Sequence, residues 1–262
     1  MISMAWARTS STYNVLVDSS TLSRDATLMV LPAIQGVIRR RVLVNYRVDP
    51  DAVREIVPEP FELRLVDGWA IAGLCLIRLE QLRPTWLNAG AGLSSESVAY
   101  RVAVSGPDGD GVFIPRRDTA SRAQAVSGGR LFPARFGYSR FRVLDDESRL
   151  SVVVTLADGA GDVELAAHPA STLPESSVFD GVAEASRFFE CDAVGWSCSQ
   201  RPGHFDGVEL RLERWEVSPL AVESVKSSFY DDGRRFPPGS IAFDSALVMR
   251  DIPHEWHAVA HV

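Results

Sequence analysis

The sequence predicts an α+β fold dominated by antiparallel strands that bend or close around one core. Three observations point to it. About ten segments are rich in β-branched and aromatic residues, or alternate apolar with polar, as strands do. The turns between them are polar and mostly glycine-rich, such as Gly106-Pro107-Asp108-Gly109-Asp110 and Ala157-Asp158-Gly159-Ala160-Gly161. About two or three short helical stretches interrupt the strands, and no repeat, low-complexity tract or linker divides the chain.

Val42–Tyr46 is the first clear strand. Asp49 then reads as an N-cap with Pro50 at the first helical position, opening a short helix that runs to about Val57 and is stopped by Pro58. Asp67-Gly68 is a hairpin turn between strands at Phe61–Val66 and Trp69–Leu79. Further strands are expected at Ser97–Ser105, Gly111–Pro115, Phe136–Leu144, Leu150–Leu156, Val194–Ser199, Val208–Val217, Ala221–Phe229 and Ile241–Met249. A helix fits Ser177–Phe189, capped by Ser176 or Ser177, and a shorter one fits Thr119–Val126. The expected organisation is an N-terminal extension over 1–30, one domain over 31–251, and a C-terminal tail over 252–262.

A chain of 262 residues can bury most of its apolar surface without staples. A net charge of -7 argues against nucleic acid as a partner. The dense basic runs, Arg39-Arg40-Arg41 and Arg116-Arg117, are too short for such a surface. No apolar run approaches a membrane span, and Met1–Val30 lacks the layout of a secretion signal. The three cysteines, Cys75, Cys191 and Cys198, form no metal-type pair, so the reducing cytoplasm is the expected compartment.

Motifs for nucleotide cofactors and for a hydrolase nucleophile elbow are absent, and no cofactor is expected. His254-Glu255-Trp256-His257 with His261 resembles a zinc motif, but its spacing fails. The histidine followed by Glu is three residues from the next one, so a surface or packed segment is the better reading. Among 27 basic residues there is one lysine, Lys226, the only side chain here able to form an imine with a carbonyl. Strand alternation places Lys226 on one face with Ser224 and Ser228.

The stretch Val44-Asn45-Tyr46-Arg47-Val48-Asp49-Pro50 through Val57-Pro58-Glu59-Pro60-Phe61-Glu62 resembles the opening of the acetoacetate decarboxylase family. Gly92-Leu93-Ser94-Ser95-Glu96-Ser97 is similar to that family's segment bearing an acidic active-site residue. Ala125 to Tyr138 is similar to a third family block. The blocks come in the family's order, and the resemblance is closest to an uncharacterised bacterial branch of that superfamily.

The resemblance implies a closed or cone-like barrel with a central pocket for a small anionic or carbonyl ligand, and a homo-oligomer. The family's imine-forming lysine falls at Ala134, and its neighbouring cation at Arg135. Arginine stays protonated and cannot replace the nucleophile. Arg39 falls where the family pairs an arginine with the substrate carboxylate, with Arg40 or Arg41 fitting after a slip of one or two residues. Glu96 falls at an active-site glutamate. Three functions are therefore open. One is a lyase or hydratase without a Schiff base, using Glu96 as acid or base with Arg39 and Arg135 holding the ligand. The second is a non-catalytic small-molecule binder. The third is a decarboxylase with Lys226 as a relocated nucleophile.

Overall fold

The computed structural model describes residues 33–87, 92–107, 109–127, 135–159, 161–199 and 201–259. The expected N-terminal extension, and Ala134 at the family's lysine position, lie outside them.

Thirteen strands and three short helices follow one another in the described residues. Strand β1 is Ala33–Val48, and α1 is Pro50–Arg54. Two short strands, β2 (Glu62–Leu63) and β3 (Leu65–Val66), precede β4 (Trp69–Pro84), β5 (Leu93–Gly106) and β6 (Gly109–Thr119). Helix α2 is Arg122–Ser127, followed by β7 (Gly137–Asp145), β8 (Leu150–Leu156) and β9 (Asp162–Pro169). Helix α3 (Val182–Glu190) leads to β10 (Val194–Cys198), β11 (Phe205–Leu212), β12 (Ser218–Ser227) and β13 (Ile241–Val259).

The α1 start follows its sequence signals. Asp49 caps it by accepting from Asp51 N at 2.9 Å, with Pro50 behind it. The turn Asp67-Gly68 has positive φ at both residues, as a tight hairpin requires. Helix α3 begins later than expected. Its cap is Gly181, and Ser177 instead donates to Asp244 Oδ2 at 2.9 Å.

The sheet closes twice. Nine strands run β6-β7-β8-β9-β12-β13-β1-β4-β5 and return to β6, making a closed mixed barrel. The pairings β6–β7 and β6–β10 are parallel. A second ring, β13-β1-β4-β5-β6-β10-β11, closes where β11 pairs with β13. Strands β13, β1, β4, β5 and β6 belong to both rings, and β1, β4 and β5 have buried stretches on both faces. Val42, Val44, Leu74, Val102 and Val152 pack in the nine-strand barrel core. Ile38, Leu79 and Ile252 pack in the seven-strand ring. Helix α3 lays Ala185 and Phe189 against Leu43, Ile71, Ala103 and Leu247.

Bulges set the boundary between the rings. The β1 register shifts between Ile38 and Arg40, and that of β4 between Leu79 and Leu82. Gln81 and Asp251 have φ of 56° and 55°, so the neighbouring strands bend at the same level. Within the expected tail, the described residues 252–259 are strand. They continue β13, pairing with β1 from Ala33 to Ile38 and with β11 from Gly207 to Leu212. Their polar and proline content hid the strand, but two partners supply the backbone hydrogen bonds. On that strand His254 and His257 fall on opposite faces, because they are three positions apart, an odd offset. His254 is buried, and His257 meets Glu255 at 2.7 Å.

Candidate functional site

The four sequence-predicted site residues are Lys226, Arg39, Arg135 and Glu96. Lys226 points into water with 69% side-chain exposure, and its ammonium lies 3.4 Å from Glu164 across the β12–β9 pair. It does not face a cavity, because its face of β12 is the outer one. Lys226→Ala is expected to change stability by less than about 0.5 kcal/mol and to leave ligand affinity unaltered, read by thermal melts and titration.

Arg39 is also exposed, at 51%. It sits in the β1 bulge and joins the bulges of both neighbouring strands, donating to Glu80 at 2.8 Å and to Asp251 at 2.7 Å. Its role here is to fasten the bend. Arg135 is exposed and, like Arg39, is not part of the wall of the second ring's cavity.

The residue that meets Glu96 is Arg40, one position on, which alternation sends to the opposite face of β1 from Arg41. Arg40 is 3% exposed and donates to Glu96 at 2.7 Å and to Asp145 at 3.1 Å. Arg250 donates twice to Asp145, at 2.9 and 2.7 Å. Burial pushes the Glu96 carboxyl above the usual carboxylate range, against the pull of Arg40 and Arg78. Glu96 thus belongs to a network of ion pairs and is not part of the wall of the second ring's cavity. Its neighbours Ser97, Ala99 and Arg101 face the other way, into the second ring.

That ring lines a partly open cavity of about 120 Å³. All seven of its strands contribute wall, including Arg41 from β1, Cys75 and Ile77 from β4, Ser97 and Arg101 from β5, and Arg117 from β6. Gln124 of α2 and Asp192, just past α3, complete its polar surface, while Leu79, Ile114, Phe136, Leu210 and Trp256 make it largely apolar. A cavity of about 150 Å³ holds benzene, so a ligand of roughly half a dozen heavy atoms fits.

Three guanidiniums meet one carboxylate here. Arg41 Nε donates to Cys75 Sγ at 3.4 Å. Arg101, 2% exposed, donates to Asn45 Oδ1 and lies 4.8 Å over the Phe189 ring. Arg117 keeps some accessible surface as a residue, but its guanidinium is deep in the wall, donating to the Ser197 hydroxyl. Burial pushes it down from 12.5 to about 10, with Cys75 and Asp206 opposing at longer range. Asp192 is shared between Arg64, which it touches through Oδ1, and Arg101, 3.9 Å from Oδ2. Asp192 is the one carboxylate among the described residues that line the cavity, and Asp206 acts on Arg117 from further off. A groove of about 310 Å³ has Arg41, Asp192, Ala193 and Leu210 in common with the cavity, so these residues stand between it and the outside.

Of these cavity residues the sequence brought forward Arg41 alone, as the two-residue slip from Arg39. Arg101 had a usable signal, since it interrupts the apolar run Val98–Val104 of a strand covered on both faces.

The closed mixed barrel is that of the acetoacetate decarboxylase-like fold. The acetoacetate decarboxylase of Legionella pneumophila superposes with a TM-score of 0.58 at 13% identity, over 94% of this chain and 99% of that one. The enduracididine biosynthesis enzyme MppR, complexed with pyruvate, gives 0.60 at 13% identity, over 91% and 92%. An acetoacetate decarboxylase-like enzyme from Sphingomonas wittichii RW1 gives 0.55 at 11% identity, over 94% and 100%. In sequence, residues 37–190 match DUF2071, described as "Uncharacterized conserved protein", and the chain belongs to that family. No curated protein matches in sequence.

Proposed function

We propose that this protein binds a small carboxylate-bearing molecule in the seven-strand cavity, with Arg41, Arg101 and Arg117 around its anionic end. The observation that carries this reading is the Arg117 guanidinium, deep in an apolar wall with a hydroxyl as its hydrogen-bond partner. Enclosing a cation whose nearest charge compensation is at longer range is costly, and an anion that enters recovers part of that cost. The excess of guanidinium over carboxylate favours the same ligand charge. The complex of the fold relative MppR with pyruvate makes pyruvate a reasonable probe.

Proton transfer by Glu96 is the weaker reading. Its raised carboxyl fits an acid or base, yet Arg40 occupies it and the sheet separates it from the cavity. Glu96→Gln is therefore expected to keep pyruvate affinity.

The pH dependence is the test. Burial raises Asp192 to about 6 against the pull of Arg101, Arg64 and Arg41. The ligand carboxylate stays ionised through pH 5–8, at roughly one unit or more above its own range near 4. Protonating Asp192 removes the cavity's negative charge, so pyruvate should bind up to about tenfold more tightly at pH 5 than at pH 8. Calorimetric titration reads this, and an affinity that is flat or falls on acidification contradicts the reading. The same group acts on folding. Its folded pKa lies above its unfolded one, so its stabilising share is full below about 4 and is lost as pH rises through about 6.

A further inference from the structure

Several buried polar atoms around the cavity have no hydrogen-bond partner among the described residues: Asp192 Oδ2, Arg101 Nε and Nη1, and Ser97 Oγ. Each belongs to a residue more than nine-tenths buried, and all three residues line the cavity. Buried polar groups are nearly always satisfied, so several orphans on residues lining one small space mark a place suited to a polar guest. Their chemistry is complementary. Arg101 Nη1 can only donate, and Asp192 Oδ2, as a carboxylate oxygen, accepts. The two stand 3.9 Å apart, too far to satisfy each other. Arg64 holds the other Asp192 oxygen, which fixes the carboxylate's orientation.

We propose that Asp192 is a catalytic base that removes a proton from the carbon beside the carbonyl of a small 2-oxo carboxylate, with Arg101 and Ser97 donating to the enolate oxygen. The proposal rests on the cavity being the ligand site. The C–H bond breaks and its hydrogen passes to Asp192 Oδ2. The bonding pair becomes the new C=C bond, and the carbonyl π pair moves onto oxygen, where the Arg101 N–H meets the developing charge. Return of a proton from Asp192 regenerates the oxo acid, so no other reactant is consumed. A carboxylate base loses its function when protonated. The groups facing it are Arg64 before β3, Arg101 on β5, Arg41 on β1 and Asp110 on β6, with Glu190, Glu213 and Arg214 on the adjoining groove.

The experiment is deuterium exchange of the pyruvate methyl group in D₂O, followed by proton NMR with the full chain, beside calorimetric titration of pyruvate. The wild type is expected to accelerate exchange over buffer, with turnover rising through about pH 6 while affinity falls over the same range. Asp192→Asn should keep or improve affinity and lose exchange by at least about 100-fold. If the Asn variant fails to fold, Asp192→Glu carries the test: affinity within about twofold, exchange slowed about tenfold or more by the displaced carboxylate. Wild-type binding with exchange at the buffer rate, or exchange undiminished in the variant that folds, overturns the base assignment alone. Absence of pyruvate binding by the wild type overturns the cavity reading and this inference with it.

Discussion

Arg117→Met is expected to make the protein more stable and at the same time abolish its affinity for small carboxylates. The guanidinium is enclosed by apolar wall and makes its hydrogen bond to Ser197. Its fall from 12.5 to about 10 reflects a penalty on the charged form that the protein bears in every molecule. Methionine removes that penalty, fills similar volume and asks for no partner. The gain, after the Ser197 hydroxyl loses its donor, is about 2 kcal/mol, or a melting temperature higher by roughly 5 °C. Pyruvate affinity should fall at least about 100-fold, because the anion loses a charge-assisted hydrogen bond in a dry site. A structural arginine would behave in the opposite way, losing stability on substitution. Thermal melts paired with titration on the same variant separate the two roles.

Asp145→Ala is expected to produce a large loss of stability without touching the cavity. Arg250, Arg40 and Arg78 lie opposite one another on β13, β1 and β4. Like charges aligned across neighbouring strands repel unless carboxylates lie between them. Glu96 serves Arg40 and Glu80 serves Arg78, while Asp145 reaches over from β7 to bind Arg40 and Arg250 together. Its removal leaves Arg250 unpaired and the nearly inaccessible Arg40 with half its charge compensation. The cost should be about 2–3 kcal/mol, below that of a fully buried pair because Asp145 remains partly solvated. Burial opposes ionisation of Asp145, but the hydrogen bonds from Arg250 and Arg40 prevail and hold its carboxyl below the usual range. Its contribution is thus present above its unfolded value near 4 and is lost as pH falls below that, a loss the alanine variant should not show. Denaturant unfolding of both proteins at pH 7 and pH 3 measures it.

The local signals in the sequence were faithful where one face or one turn decided the structure. Leu150–Leu156 alternates cleanly and is β8 to the residue. Asp49 and Asp67-Gly68 carry their own capping and turn chemistry. The long strands were shortened in reading because Arg39-Arg40-Arg41, Gln81 and Asp251 interrupt the apolar pattern where β1, β4 and β13 bend. Strand β9, Asp162–Pro169, went unseen among its small and charged residues. Double closure depends on pairing register between distant segments, which no local pattern encodes.

The site was legible to a similar degree. The resemblance brought an arginine and a glutamate to the right level of the sheet, and they meet as Arg40 and Glu96. A slip of one residue separates them from the exposed Arg39, and a slip of one in a strand exchanges its faces. The residues that line the cavity come from seven strands, one helix and two loops, so their convergence exists only in the closed fold. Lys226 was conspicuous by rarity, which has no bearing on which way a strand faces.

The most direct measurement is a crystal structure of the full chain soaked with pyruvate. The account predicts one molecule inside the seven-strand ring, its carboxylate within hydrogen-bond distance of Arg117 and its carbonyl oxygen facing Arg101 Nη1. Pyruvate bound instead at the Arg40–Arg250 cluster, with the seven-strand cavity holding none, would contradict it.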